Sequence, residues 1–209
     1  NLFWAGRYLE RVEASARLLR TVSLKLRETL EFKDPLDNEC LRLLLGALTQ
    51  VTGVYPGFIN GTVQRLQAPE TELLALAKDS QRKGSLAANI QAFVQAAFNV
   101  RDLWSHDTWR SIDTIQRRWQ QKVSNNVITV EQLQNNLDDL ITGIVAFTGL
   151  TSESMTREAT WLMLDSGRRL ERAVALIALL RSTLVRRHED ALQNLMLEAV
   201  LVTTDSLNI

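Results

Sequence analysis

Glu10-Arg11 and Glu171-Arg172 are adjacent carboxylate–guanidinium neighbours in a chain otherwise poor in reactive constellations. Each closes a hexad. Gly6-Arg7-Tyr8-Leu9-Glu10-Arg11 near the start returns as Gly167-Arg168-Arg169-Leu170-Glu171-Arg172 near the end. At the same offset Ala14 recurs as Ala175, and Leu18-Leu19-Arg20 as Leu179-Leu180-Arg181. Three kinds of chemistry fit such a repeat. The groups lock two helices together through bidentate ion pairs, where lysine does not replace arginine. They bind an anionic or zwitterionic ligand or contact a partner. Alternatively, Glu10 or Glu171 serves as a general base in an interhelical cleft, which requires burial to raise its pKa toward neutral.

The element that presents the first pair is a helix. Leu2, Ala5, Leu9, Val12, Ala16, Leu19, Ser23, Leu26 and Leu30 alternate three and four residues apart. That is an apolar seam of about four heptads on a helix on the order of 45 Å long. Glu10 and Arg11 fall beside the seam, but Trp4 and Leu18 flank Arg11 at seven-residue spacing, and Leu164 and Leu179 bracket the second pair. The pattern predicts a second buried face with the ionic groups set into it. Buried charges require partners, because desolvating one alone costs several kcal/mol. Neighbours on a helix point about 100° apart, so Glu10 and Arg11 do not satisfy each other. Arg7 and Arg168, three residues before each glutamate, offer an intrahelical solution. The more economical arrangement is reciprocal, with Glu10 meeting Arg172 and Arg11 meeting Glu171 across two packed helices.

Helical periodicity continues along the whole chain, with no sustained strand-type alternation. Asp34-Pro35 stops the first helix, and a leucine-rich helix follows over about 36–54. Tyr55-Pro56-Gly57 and Asn60-Gly61 mark a loop, and Pro69 opens a short helix carrying Leu73, Leu74 and Leu76. Ser85 is placed to cap a helix through Trp104, and Asp107 starts another to about Val123. Thr129 with Gln132 reads as a capping box for a helix to about Phe147, closed by Gly149. Thr151 to Ser154 supply caps for a second long helix from Met155 to about Arg187, and a last helix follows. The expectation is an all-α bundle of about seven or eight helices. Two long ones carry the repeated Gly-Arg-x-Leu-Glu-Arg motif, in a single domain over 1–209 with no linker.

Composition narrows the function. Apolar residues make up 45% and charged residues 23%, with a formal net charge of zero, which lacks the basic footprint of a nucleic-acid binder. The basic, aromatic stretch Gln116 to Lys122 reads as one helix with a solvated basic face. Cys40 is the sole cysteine, so no internal disulfide forms and a reducing, cytoplasmic setting is expected. No apolar run reaches the roughly 20 residues of a membrane span, and no signal peptide is visible. His106 and His188 stand far apart, without ligands at helical spacing, so neither metal nor cofactor is expected. Asp138-Asp139 and Glu189-Asp190 read as solvated faces. Trp104, Trp109, Trp119 and Trp161 read as core or interface anchors.

Asn1-Leu2-Phe3-Trp4-Ala5-Gly6-Arg7-Tyr8-Leu9-Glu10-Arg11-Val12-Glu13, followed by Ala16 to Leu19, resembles the opening of the bacterial alpha-E family, a helical domain with a Glu-Arg motif. Asn99 to Ser105 with Trp109 is similar to its middle motif. Gly149-Leu150-Thr151, Met155 to Glu158 and Trp161, leading into Gly167 to Arg172, are similar to its second motif. Arg169 stands where the family more often has tyrosine. Family members are usually longer, with further helices after the second copy, so the chain is expected to be a fragment lacking the C-terminal helices of the domain.

The resemblance implies a place beside, or fused to, circularly permuted ATP-grasp ligases, with transglutaminase-like peptidases and proteasome-like hydrolases encoded nearby. It directs attention to Glu10, Arg11, Glu171 and Arg172, with Arg7, Arg168, Arg101, Asp102 and Trp104 as secondary candidates. The leading expectation is a non-catalytic helical accessory domain acting with an amide or peptide ligase, with an amino acid or peptide as ligand. The alternatives are a transferase or amide hydrolase using the motif carboxylates, and a helical adaptor or dimerisation module, which requires an exposed apolar stripe.

Overall fold

The computed structural model of the chain describes residues 1–59, 63–124 and 129–206, and every regular element among them is helical. In chain order these are α1 (Leu2–Phe32), α2 (Pro35–Thr52), α3 (Val63–Gln67), α4 (Glu70–Lys78), α5 (Leu86–Phe98), a 3₁₀ turn (Arg101–Leu103), α6 (His106–Val123), α7 (Val130–Ser154), α8 (Ala159–Thr183) and α9 (Asp190–Thr203). The described residues thus form nine α-helices, one more than the upper expectation, the extra being the five-residue α3. None is long and apolar enough to cross a membrane.

Several ends follow local capping chemistry. α1 finishes at Lys33 in the left-handed region (φ 53°). Asp34 then accepts a hydrogen bond from the Leu36 amide at 2.7 Å, with Pro35 at the first helical position. Ser85 accepts from the Ala88 amide at 3.1 Å. Thr129 and Gln132 form both halves of a capping box.

Other ends depart from the sequence expectation, each for a tertiary or energetic reason. α2 stops at Thr52 because Gly53 turns left-handed (φ 68°). α5 ends at Phe98, short of Trp104, whose indole N–H folds back to donate to the Ala97 carbonyl at 2.9 Å. α6 begins at His106, one residue ahead of the expected start at Asp107, because Ser105 caps the Thr108 amide. Gly149 does not close α7, which continues to Ser154. A single glycine in a helix costs only about 1 kcal/mol. The expected cap residues Thr151 to Ser154 therefore form the last turn of α7, Met155 is its C-cap, and α8 runs from Ala159 to Thr183. The Asn60-Gly61 turn lies outside the described residues.

α1 is the hub. It packs against α2, α5, α7, α8 and α9, most extensively against α8. Its seam residues Leu2, Ala5, Leu9, Val12, Ala16, Leu19, Ser23 and Leu26 are buried, whereas Leu30 is exposed on the protruding last turn. Cys40 sits in the core against Met196, 3.6 Å between sulfurs, and burial pushes its thiol pKa up to about 11.

Candidate functional site

The site begins where α1 meets α8. A Cβ on Gly6 would overlap the Leu164 carbonyl oxygen, and one on Gly167 would overlap the Phe3 carbonyl oxygen. Only glycine allows this backbone approach. The contacts are reciprocal at the repeat offset: Gly6 faces the residue three before Gly167, and Gly167 faces the residue three before Gly6. Numbers rise together along the interface, from Phe3 at Gly167 to Glu10 at Arg172, so the helices run parallel about a local twofold.

One turn further on, the same twofold organises the charges. Glu171 accepts from Arg7 Nε and Arg11 Nε, each at 2.7 Å. Glu10 accepts from Arg172 Nε at 2.5 Å and Arg172 Nη2 at 2.9 Å, with Arg168 Nε 3.4 Å away. Both glutamates are buried, at 3% and 5% exposure. The structure thus brings together Glu10, Arg11, Glu171, Arg172, Arg7 and Arg168. Arg7 and Arg168 do not serve the glutamate of their own helix; each reaches across to the other. The Glu10 hydrogen bond holds the Arg172 guanidinium above its ordinary pKa.

The two halves of this cluster are not equal. Around Glu171, the Arg7 guanidinium lies over the Trp4 ring at 5.1 Å, and that of Arg11 over Tyr8 at 5.5 Å. At the repeat positions of Phe3, Trp4 and Tyr8 the second copy carries Leu164, Asp165 and Arg169, and Asp165 accepts from Arg169 at 2.5 Å instead. Without aromatic cover, the Arg172 side chain is 59% exposed, against 28% for its counterpart Arg11. Arg168 Nε is buried without a hydrogen-bond partner.

The Glu10 half also borders space. A cavity of about 390 Å³ lies between α1, α8 and the end of α9. Glu10, Glu13, Arg17, Arg172 and Asp205 supply its charge, while Leu18, Val51, Leu176 and Leu179 supply its apolar wall. Arg17 bridges Glu13 at 3.0 Å and Asp205 at 3.5 Å. Glu171, Arg7 and Arg11 do not line this cavity. Sequence reasoning did not single out Glu13, Arg17 or Asp205. The first two form an ordinary i, i+4 pair, and Asp205 lies 188 positions from Arg17 with no pattern connecting them.

The remaining candidates lie elsewhere. Arg101, Asp102 and Trp104 occupy the 3₁₀ turn and its cap, apart from the cluster. Trp104 is buried against Phe147, ring centroids 5.9 Å apart, while Arg101 stacks over Trp109 at 5.0 Å. Trp119 is in the core, and Arg118 and Lys122 edge a separate groove of about 380 Å³ between α6 and α7. Asp138 pairs with Arg20 at 2.9 Å and Asp139 with Lys122, so these aspartates are surface ion pairs rather than simply solvated. His106 lies 3.1 Å from Arg110, and the His188 amide donates to Gln193. Among the described residues no group of three or more metal-ligating side chains occurs.

A family model described as a predicted alpha-helical domain with a conserved ER motif matches residues 1–209. The chain is 31% identical over 213 residues to an uncharacterised protein of Mycobacterium bovis and to uncharacterised proteins of the CDC 1551 and H37Rv strains of Mycobacterium tuberculosis. These alignments cover 99% of this chain and 24% of each relative, so the chain spans about a quarter of the length of the curated relatives it matches. No solved structure matches it.

Proposed function

The chain belongs to the Alpha-E family, and from that premise we propose that it is a non-catalytic helical accessory domain that presents an amino acid or peptide to an amide-forming ligase. The ligase is of the circularly permuted ATP-grasp type that the family resemblance implies, acting in trans or fused in a longer polypeptide. The observation carrying this reading is the opening of the Glu10 half onto its cavity. Arg172 directs two N–H groups at Glu10, and its largely exposed guanidinium has further N–H groups for a carboxylate. Glu13 and Asp205 offer acceptors for an ammonium group, and Leu18, Val51, Leu176 and Leu179 offer an apolar wall for a side chain. Glu10 and Glu171 each have both oxygens engaged by guanidinium groups, which commits them to positioning rather than proton abstraction.

The test measures ATP turnover by the ATP-grasp ligase of the same genome over a panel of amino acids and peptides. Wild-type domain is expected to stimulate turnover, and Arg172→Ala to lose that stimulation while keeping its helical circular dichroism at the assay temperature. Absence of both stimulation and a complex overturns the proposal. A transferase or amide hydrolase remains the second reading because Glu10 itself lines the cavity. Product formed by the domain without any ligase would select it.

A further inference from the structure

The cavity beside Glu10 carries opposite charges at its two ends. Arg172 stands at one, where Nε and Nη2 donate to Glu10 and Nη1 has no partner among the described residues. Glu13, Arg17 and Asp205 stand at the other, with Arg17 Nε 3.0 Å from Glu13 and Arg17 Nη1 3.5 Å from Asp205. Glu10, Glu13 and Arg17 all lie on the unbroken helix α1. The helical rise therefore separates the two ends by about 5–10 Å. Asp205 is an expensive residue where it stands. It takes the left-handed position (φ 55°) that closes α9, its amide donating to Val202 and that of Ser206 to Leu201. Glycine favours that position, and the negative end of the helix dipole disfavours a carboxylate there. The Asp205 side chain is 76% exposed and Arg17 is shared with Glu13, so Asp205 has acceptor capacity for a further cation.

Free amino acids do not fit this separation. With the carboxylate of a free amino acid on Arg172, its α-ammonium lies beside the same guanidinium, and both Glu10 oxygens are already engaged. In a peptide the nitrogen next to the terminal carboxylate belongs to a neutral amide, and the ammonium is carried further off. Resting on the ligand role given above to this cavity, we propose that its ligand is a peptide of two or three residues with both termini free. The C-terminal carboxylate takes Arg172, and the N-terminal ammonium takes Asp205 and Glu13. An extended chain of two or three residues covers about 7–11 Å, which matches the distance between the charged ends. Leu18, Val51, Leu176 and Leu179 receive a side chain between them. A volume of about 390 Å³ lies near the small end of the ~300–1,000 Å³ range of ligand sites, which suits a short peptide and not a protein tail.

Isothermal titration of the chain, with no ligase present, tests this. The probes are Ala-Leu, Ala-Leu-Ala, free leucine, and Ala-Leu-Ala acetylated at its N-terminus or amidated at its C-terminus. At least one free peptide is expected to bind, with either blocked form and free leucine weaker by about 10-fold or more. Asp205→Asn is expected to weaken the free peptide to the level of the acetylated one while leaving the acetylated one unchanged. Leucine binding as tightly as the peptides overturns the proposal, as does indifference to both blocking groups or no binding of any probe at millimolar concentrations. Equal losses for free and acetylated peptide in Asp205→Asn overturn the assignment of the N-terminus. The ligase assay is a separate readout. Peptide binding without stimulation removes the accessory role and leaves this inference standing, whereas stimulation with free amino acids alone does the reverse.

Discussion

Glu171 and Glu10 occupy equivalent places in two copies of one hexad and are both buried, yet only Glu10 lines the cavity between α1, α8 and α9. Glu171 has two guanidinium donors at equal distance, each stacked on an aromatic ring. Glu10 takes a close bidentate contact from an exposed arginine, and its second arginine stands too far off to donate. The difference in arginine exposure follows one substitution in the repeat: Tyr8, which covers Arg11, becomes Arg169, whereas Arg168 stays as buried as Arg7 despite losing Phe3 and Trp4. Aromatic faces hold a guanidinium by cation–π attraction and shield it from water. Where Tyr8 is replaced by Arg169, the equivalent guanidinium, that of Arg172, is largely exposed and lines the cavity. A duplicated motif thus meets two different environments, one packed under aromatic rings and the other beside a cavity.

The largest test of that contrast is to neutralise each glutamate in turn. Glu171→Gln leaves two partly buried arginines without their counter-charge and is expected to cost about 3 kcal/mol, lowering the melting temperature by roughly 6–12 °C for a chain of this size. Glu10→Gln leaves the exposed Arg172 and the more buried Arg168 without their counter-charge and is expected to cost about 1–2 kcal/mol. Equal losses in calorimetric or denaturant melts would break the comparison. The helix crossing supplies an internal control, because there the twofold is obeyed on both sides. Gly6→Ala and Gly167→Ala each push a methyl group into a carbonyl oxygen of the facing helix, and each is expected to destabilise by about 2–3 kcal/mol. Similar values at the glycines with unequal values at the glutamates would place the asymmetry in the aromatic cover alone. The smallest expected effects are at the arginines. Arg11→Ala removes one of the two donors to Glu171, and Arg172→Ala removes both hydrogen bonds to the buried Glu10, so each is expected to cost about 1–2 kcal/mol. If Arg172→Ala costs nothing in a denaturant titration, Arg168 alone satisfies Glu10 and the Glu10 half contributes no lock.

Much of this arrangement is legible in the residues. The reciprocal meeting of Glu10 with Arg172 and of Glu171 with Arg11 follows from the repeat and from the rule that buried charge must be paired. Arg169 in place of a tyrosine already marks the second copy as different. The glycines carried a signal that sequence reading passed over: a residue unfavourable inside a helix appears at the same place in both copies, which points to close backbone approach. The trans reach of Arg7 and Arg168 was not readable. An arginine three residues before a glutamate can serve its own helix or another, and only the crossing point decides between them.

What the chain determines by itself is local. The seam of α1 and the repeated hexad are patterns of residue type and spacing, and the caps at Asp34, Ser85 and Thr129 are side chains that meet backbone within three residues. Those interactions exist whatever the rest of the protein does. Tertiary structure decided what depends on distant neighbours: that Trp104 folds back onto α5, that α7 passes through Gly149 to Ser154, and that α1 is enclosed while α8 keeps one face bare. It also decided that Asp205 joins Glu13 and Arg17 around a cavity beside Glu10. Two hexads that differ only at Tyr8 and Arg169 share their Glu-Arg chemistry. Their solvation, and hence their role, is set by which other helices pack around each copy.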